Sequence, residues 1–356
     1  MGGTSRSSTS VVEEIASQNS GVEILIITKD STSPVLQSFA SKNAKVAFQS
    51  SIFEAIVENW RFLRTADVVH IQGLWSIFPS FIGVLCSVLT TAKIVISPRG
   101  MLEPWSLGQN GLRKKIALLT YQGMLLRKSD CLHVTAASEL EHVQSITRHK
   151  NIEIIPNGLN VSKYQLASHE TQDSKHTILF LSRIHPKKGI EILFDAWEEL
   201  KFLWREWQVH IVGDGAEDYI AHLKTEIQTR SLDSIDICDP LYEEEKYSKF
   251  ASSDLFVLPT YSENFGIVVA EALASGLPVI TTTGTPWAEI EPAGCGHCIK
   301  PESEALVEAI VHWTSQTPAQ RKASGLKGAA LIQNKYSLAS VGDSFMRLYG
   351  NLSDVN

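Results

Sequence analysis

Two glutamates stand out in the stretch TYSENFGIVVAEALASG (residues 260–276), because Glu263 and Glu271 lie in an otherwise nearly apolar setting. Glu263 falls in a predicted loop just before Gly266, and Glu271 falls inside the helix that follows. The start of that helix, Asn264–Ile267, presents unpaired backbone N–H groups and the positive end of a dipole, which together bind anions. Carboxylates accept hydrogen bonds from hydroxyl groups. The pattern predicts an anion site flanked by carboxylates that hold hydroxyls, and the alternative is a pair of solvated charges on a surface helix.

A second element, LSRIHPKKGIEILFDAW (residues 181–197), brings two cations to the end of a predicted strand. Arg183 offers a planar fork of N–H donors and Lys188 offers a mobile point charge, a combination suited to two neighbouring phosphates. The alternative for these two residues is a solvated first turn of a helix. Together with the paired glutamates they predict a cradle for a diphosphate, with carboxylates for sugar hydroxyls.

Both elements depend on strands to position them. Short β-branched runs alternate with longer helical patterns along the chain, which is typical of a parallel sheet covered on both faces. The predicted strands are residues 22–28, 45–49, 67–72, 93–98 and 131–136, and then 177–182, 207–213, 254–259 and 278–283. Because open α/β sheets bind ligands at the carboxyl ends of their strands, the loops that carry Arg183 and Glu263 are expected to share one site.

The strand rhythm restarts after a polar stretch, so the sequence predicts two α/β domains. With 356 residues the chain is longer than one hydrophobic core usually fills. The turn signal IIPNGLN and the polar residues after it place the boundary between residues 156 and 175. The glycine-rich start, MGGTSRSSTSVVEEIA, indicates a turn and a helix that would normally follow a strand. We therefore expect either a start upstream of Met1 or a first domain without one central strand.

Composition excludes several classes of protein. The chain is 44% hydrophobic and 20% charged, as in an ordinary soluble globular protein. Its net charge of −7 gives no global attraction to nucleic acid. Five cysteines and no apolar leader segment fit a cytoplasmic protein better than a secreted disulfide framework. The CGHC run (residues 295–298) lacks the strand-to-helix setting of a redox centre and is interpreted as structural.

The combined motifs resemble those of the retaining glycosyltransferases of the GT-B type, specifically glycosyltransferase family 4. The resemblance is carried by Glu263 and Glu271 as an E-x7-E motif, by SRIHPKKG, by VGDG (residues 212–215), by the IPNGLN linker and by the N-terminal GGTSRSS loop, and it covers nearly the whole chain. It implies two Rossmann-like domains that face each other across a cleft. The expected domains are residues 1–160 for the acceptor, with a C-terminal helix at roughly 340–356 that crosses back, and residues 161–339 for the nucleotide-sugar donor.

The resemblance also implies a role for each residue of the donor site. Arg183 and Lys188 would hold the donor diphosphate, and Glu271 would hold the ribose hydroxyls. Glu263 and the backbone of Asn264, Phe265, Gly266 and Ile267 would hold the phosphate and the transferred sugar. Gly213 and Leu241 would line the nucleotide, the latter near the base. The family works without an essential metal, and no Asp-x-Asp motif is present in this sequence. Arg183, Lys188 and the helix dipole would then neutralise the leaving group.

The sequence departs from the family pattern on the acceptor side. The family often has a histidine where SPRGMLEPW has Arg99, which cannot act as a base but can polarise a phosphate or anchor an acidic acceptor. A structural salt bridge is an open alternative for this arginine. His70 and Trp75, in HIQGLWS, are further candidates for the acceptor side, although a histidine in an apolar strand is often a hydrogen-bonded core residue. The catalytic set predicted is Glu263, Arg183, Lys188 and Arg99.

The expected function is transfer of a hexose from a nucleoside diphosphate sugar to a glycan or lipid-linked oligosaccharide, in cell-surface or exopolysaccharide synthesis. UDP-glucose is the first expectation for the donor and GDP-mannose the second, with no other cofactor. Basic residues around the helix at 111–128 are compatible with peripheral contact at the inner membrane face, or with simple core packing. Two alternatives are a non-catalytic sugar-nucleotide-binding relative and a nucleotide-linked oxidoreductase. An oxidoreductase of that kind should carry a Gly-x-Gly-x-x-Gly motif, which the segment VGDGAED does not match.

Overall fold

The computed structural model describes residues 3–354 apart from residues 33, 35, 109–110 and 169–174. The chain divides into two compact units. Unit 1 comprises Met1–Gly158 and Leu338–Asn356, and unit 2 comprises Leu159–Ser337.

Unit 1 carries two parallel sheets, and helices lie between consecutive strands from β2 to β6. One sheet pairs β1 with β2, and the other has the order β3-β4-β5-β6. The strands are β1 (Ile24–Lys29), β2 (Ala44–Gln49), β3 (Val68–Gln72), β4 (Lys93–Ser97), β5 (Cys131–Val134) and β6 (Ile152–Ile154). The helices are α1 (Gly3–Gln18), α2 (Ile52–Thr65), α3 (Ile77–Leu89), α4 (Pro104–Gly108), α5 (Gly111–Leu119), α6 (Tyr121–Lys128) and α7 (Ala137–Ile146), together with the C-terminal helix described below.

Unit 2 is built on one six-stranded parallel sheet. Its strands are β7 (His176–Leu181), β8 (Trp207–Val212), β9 (Ile235–Cys238), β10 (Leu255–Leu258), β11 (Val279–Thr282) and β12 (Gly296–Ile299). Its helices are α8 (Ile190–Glu199), α9 (Glu217–Thr229), α10 (Glu243–Ala251), α11 (Ile267–Ala274), α12 (Ser303–Thr314) and α13 (Pro318–Leu331), and a π-helical turn spans Ile332–Tyr336. The last helix of the chain, α14 (Leu338–Ser353), belongs to unit 1, where it packs on α1.

The strand order in unit 2 is β12-β11-β10-β7-β8-β9. The chain therefore runs outward from β7 in one direction, and then returns to β10 beside β7 and runs outward in the other. In a parallel sheet, such a reversal leaves a crevice at the carboxyl ends of the two central strands, and ligands bind there. The loops that follow β7 and β10 are the two segments that carry Arg183 and Glu263.

The burial of the strands explains why the sequence patterns predicted them. All four residues of β10 and of β11 are buried, as are five of the six in β7, and β7 and β10 are nearly continuous apolar runs, as is typical of parallel strands covered on both faces. The core of unit 2 contains the largest fully buried side chains, among them Trp197, Trp207 and Trp287. The described strand pairs are all parallel, so the predicted α/β class is confirmed.

Candidate functional site

The two loops at the reversal of the unit 2 sheet are joined through their backbones. The Tyr261 amide donates to the Lys187 carbonyl (2.9 Å), and the Thr260 hydroxyl donates to the same oxygen (3.0 Å). Gly189 has a φ of +68°, and a Cβ at this position would lie 2.1 Å from the carbonyl oxygen of Pro259. Glycine is required here both by the left-handed backbone and by the closeness of the second loop. The Lys-Gly pair of the sequence motif is thereby held against the end of β10.

This contact brings Lys188 and Glu263 together. The Lys188 ammonium donates to the Glu263 carboxylate as an ion pair, with the two side chains only 15% and 16% exposed. The Glu263 amide donates to the Gly284 carbonyl (2.7 Å), which fixes the loop after β10 to the loop after β11. The residue predicted to bind the phosphate and the residue predicted to bind the sugar are thus direct partners.

Arg183 differs from Lys188 in its surroundings. It is exposed, and within the residues that the structure describes it makes no hydrogen bond or ion pair. Its loop is fixed from the other side, because the Ile184 amide donates to the Asp214 carbonyl (2.6 Å). A Cβ on Gly213 would lie 1.9 Å from the Ser182 carbonyl oxygen, so only glycine allows this approach. Gly213 therefore lies next to the loop of Arg183, whose guanidinium is available to an anion.

The residue before helix α11 is Gly266, which occupies the N-cap position with a φ of +71°. No side chain caps this helix start, so the first N–H groups of the helix have no side-chain acceptor. The Phe265 ring is buried beside the Trp287 ring, with 5.2 Å between the ring centroids, and the Trp287 indole donates to the Phe265 carbonyl (2.6 Å). A ligand can therefore contact only the backbone of Phe265. Asn264 and Ile267 are half-buried.

Glu271 is held inside unit 2 by two residues that the sequence did not predict. The residue is 6% exposed, and its Oε1 accepts from the Tyr164 hydroxyl (3.0 Å) and from the Lys246 ammonium (2.6 Å). Its Oε2 is buried and has no hydrogen-bond partner among the described residues. Burial, and then the Glu271 charge, raise the pKa of the Tyr164 hydroxyl, so this hydroxyl is a permanent donor. Leu241, half-buried against the core, precedes the helix that carries Lys246.

In unit 1, Arg99 follows β4 with a φ of +56°, an uncommon conformation for a residue other than glycine. Its guanidinium donates to the Gln72 Oε1 (2.9 Å), the Asn157 Oδ1 (2.7 Å) and, at 3.5 Å, the Ser8 hydroxyl. These partners are neutral, and no salt bridge to Arg99 occurs among the described residues. Burial lowers the pKa of Arg99, and the negative charge of Glu139 acts against that shift. Among the described residues, Arg99 is therefore held by hydrogen bonds to neutral side chains and not by the salt bridge that the sequence left open as an alternative.

His70 uses both of its ring nitrogens. The Nδ1 lies 2.7 Å from the Tyr349 hydroxyl and the Nε2 lies 2.6 Å from the Ser97 hydroxyl, which in turn lies 2.6 Å from the His133 Nδ1. The His133 Nε2 lies 2.7 Å from the Ile155 carbonyl, so Nε2 carries the proton and the neutral ring accepts at Nδ1. The Ser97 hydroxyl then donates to His133, and the Tyr349 hydroxyl donates to His70. Burial, and then Arg99, lower the pKa of His70 to about 3.

Trp75, the other residue predicted for the acceptor side, also has a left-handed backbone, with a φ of +67°. Its amide donates to the Gln122 Oε1 (3.3 Å), and the Lys114 ammonium lies 5.5 Å from the centre of its ring. The indole N–H is buried without a partner among the described residues. Strained residues of this kind often mark functional segments. The acceptor-side roles of His70, Trp75 and Arg99 remain predictions.

In the described part of the chain, no group of three or more His, Cys, Asp or Glu side chains is arranged to hold a metal ion. The same part contains no helix that is both long and apolar enough to span a membrane.

The similarity to known proteins covers both units. Residues 1–163 match the model of Glycosyltransferase Family 4, and residues 163–325 match that of Glycosyl transferases group 1. The phosphatidyl-myo-inositol mannosyltransferase of Mycobacterium leprae is 30% identical over 205 residues, which cover 55% of this chain and 52% of that protein. The O-antigen chain mannosyltransferase C of Escherichia coli is 26% identical over 256 residues, 68% of this chain and 67% of that protein. The chain thus spans about half the length of the first relative.

A solved structure has the same fold over almost the whole chain. Anabaena HepE, solved with UDP and glucose, is 17% identical and superposes with a TM-score of 0.73, covering 98% of this chain and 96% of that chain. At this level of identity the likeness concerns the fold alone. The two adjacent family models, the parallel sheets and this superposition agree, and the chain therefore belongs to the family 4 glycosyltransferases, with the GT-B fold and its two Rossmann-like domains.

Proposed function

We propose that the protein is a retaining glycosyltransferase that moves a hexose from a nucleoside diphosphate sugar to a glycan or lipid-linked oligosaccharide. The observation that carries the proposal lies in unit 2. At the carboxyl ends of β7 and β10, Lys188 and Glu263 form an ion pair, Arg183 is exposed in the same loop after β7, and the uncapped start of α11 follows Glu263. Cations and a helix N-terminus suit a diphosphate, and a carboxylate beside them suits sugar hydroxyls.

The geometry supports a division of labour during transfer. Arg183, Lys188 and the first N–H groups of α11 would stabilise the negative charge that develops on the leaving diphosphate. Glu263 would hold the sugar, and Glu271 the ribose. These positive groups supply the charge neutralisation that a metal ion provides in other transferases, so we propose that transfer is metal-independent. The departing phosphate would help to deprotonate the acceptor on the same face of the sugar, which retains the anomeric configuration.

The names of the relatives bear on the donor. Two of them are mannosyltransferases, one acting on a phosphatidylinositol and one on an O-antigen chain. They favour a mannose donor such as GDP-mannose, whereas UDP-glucose is the donor that we expected first from the sequence. Cell-surface or exopolysaccharide synthesis is the corresponding setting. We propose that His70 in β3, Trp75 in the loop after β3 and Arg99 in the loop after β4 line the acceptor side.

We also propose that α5 contacts the inner face of the membrane, where a lipid-linked acceptor would lie. Leu112, Ile116 and Leu119 recur at helical spacing and are 75%, 54% and 82% exposed, while Arg113 and Lys115 beside them are also exposed. Apolar side chains flanked by basic ones fit the surface of an anionic bilayer.

Sedimentation with anionic liposomes tests this contact. The variant Leu119→Ser is expected to lower the bound fraction severalfold, whereas Leu326→Ser, which alters an exposed leucine of unit 2 (46% exposed), should leave it unchanged. Equal binding of wild type and Leu119→Ser would contradict the contact.

A donor screen tests the function itself. Thermal unfolding with UDP-glucose, GDP-mannose and other nucleotide sugars should identify a stabilising donor, and hydrolysis or transfer of that donor should follow. A donor that binds but is never turned over, with acceptors of several classes present, would instead favour the non-catalytic sugar-nucleotide-binding relative.

A further inference from the structure

The two carboxylate oxygens of Glu271 differ in their hydrogen bonding. Both of its protein donors, the Tyr164 hydroxyl and the Lys246 ammonium, meet Oε1, and Oε2 has no partner among the described residues although it is buried. An ionised carboxylate has about four acceptor positions, and a buried oxygen without a donor costs free energy. Buried polar atoms without a partner are rare in native proteins, and one explanation for such an atom is a ligand that supplies the missing donor.

The two donors come from separate parts of unit 2. Tyr164 lies after the short helical turn Val161–Lys163, and its ring packs edge-on against Tyr247, with 4.9 Å between the centroids. Lys246 lies in α10, where its ammonium is also 5.8 Å from the centre of the Tyr247 ring. The phenol has few rotatable bonds and is held by ring packing, whereas the lysine has a flexible four-carbon stem and a 20% exposed side chain. Two donors from different elements thus hold the same carboxylate oxygen.

We propose that Tyr164 and Lys246 are positioning residues for nucleotide recognition: they anchor one oxygen of Glu271 and thereby direct the other to the ribose hydroxyls of the donor. This inference rests on the proposed function, in which Glu271 contacts the ribose. The Oε2 atom has no donor among the described residues, and the hydroxyls of a bound ribose would supply the donors that it lacks. Both residues are therefore expected to favour binding of a ribonucleotide over a deoxyribonucleotide.

The test compares ribose with deoxyribose. Calorimetric titration of the full chain with UDP and GDP, and with their 2′-deoxy and 3′-deoxy forms, gives an affinity ratio for each pair. A hydroxyl donating to a charged carboxylate is worth enough to make this ratio about tenfold or more in the wild type. In Tyr164→Phe, which removes one oxygen and keeps the ring, and in Lys246→Met, the ratio should fall to about threefold or less, and Lys246→Arg should restore part of it.

The outcomes separate this inference from the function it rests on. A purely structural role for Tyr164 would weaken binding of both nucleotide forms equally and leave their ratio unchanged, which would overturn the inference. A wild type that binds UDP or GDP without any preference for ribose would overturn it as well. If neither nucleotide binds, the proposed function fails first. Tyr219→Phe is the matched control, because it removes a hydroxyl that donates to another glutamate of unit 2, Glu191 (2.6 Å). Its ratio should equal that of the wild type.

Discussion

The pairing of Lys188 with Glu263 leads to a prediction with opposite signs for binding and for catalysis. The lysine has a carboxylate partner within unit 2, so a diphosphate must compete with Glu263 for its ammonium. Glu263→Gln keeps the shape of the side chain and removes its charge. Nucleoside diphosphate binding should therefore become tighter, while sugar transfer should become slower because the carboxylate that holds the sugar is lost.

The magnitude follows from the burial of the pair. Exposed ion pairs contribute roughly 0–1 kcal/mol, and removing one partner of a fully buried pair costs about 3–5 kcal/mol. Side chains that are 15% and 16% exposed fall between these limits, and Lys188 has further N–H donors with which to bridge both anions. We expect a gain of about 1 kcal/mol, or about fivefold in affinity. Loss of a charged hydrogen bond to the sugar, about 1.5–3 kcal/mol, should lower kcat by about 10- to 100-fold.

Calorimetric titration with UDP and GDP, together with steady-state transfer rates, measures both effects. Glu191→Gln is a suitable control, since this glutamate accepts from Tyr219 and takes no part in the proposed site. Weaker nucleotide binding in Glu263→Gln, or an unchanged kcat, would refute the reasoning from the ion pair.

Other perturbations have equally definite outcomes. Glu271→Ala should weaken nucleoside diphosphate binding about tenfold by calorimetry, and equal affinity would contradict the ribose assignment. Gly189→Ala should lower the unfolding temperature, since its Cβ would lie 2.1 Å from the Pro259 carbonyl oxygen; an unchanged transition would count against the close approach. His70 stays neutral when folded because its pKa is lowered to about 3, whereas in the unfolded chain it gains a proton below about pH 6.5. Stability is thus lost as pH falls through this window, by about 2 kcal/mol between pH 7 and pH 5 in urea titrations, and a slope unchanged in His70→Gln would exclude this origin. Transfer should persist in EDTA, and its abolition would disprove metal independence.

The sequence predicted the α/β class and the GT-B fold, and both are confirmed. The long apolar runs of β7 and β10 are visible in any window because parallel strands buried on both faces leave few polar positions. Three short strands, β6, β9 and β12, were not predicted. They are three or four residues long and only partly buried, so they lack the apolar density that marks the others.

The site shows where sequence patterns stop being informative. Lys188 and Glu263 are 75 positions apart, and their contact depends on the strand order of the sheet, which periodicity does not encode. Lys246 lies in EEEKYSKFA, a run that is typical of a solvated helix, and its inward direction is fixed only by the packing of α10. The left-handed backbone of Arg99 is likewise invisible in the letters of the loop.

Ligand-protected unfolding measures the central claim most directly, because it needs no acceptor. A nucleotide sugar present at about 100 times its Kd should stabilise the protein by about 2.7 kcal/mol, and hence raise the unfolding temperature by several degrees. UDP-glucose or GDP-mannose is predicted to have this effect, and the effect should be reduced in Arg183→Ala. If no nucleoside diphosphate sugar shifts the transition, the assignment of unit 2 as a donor-binding domain is contradicted.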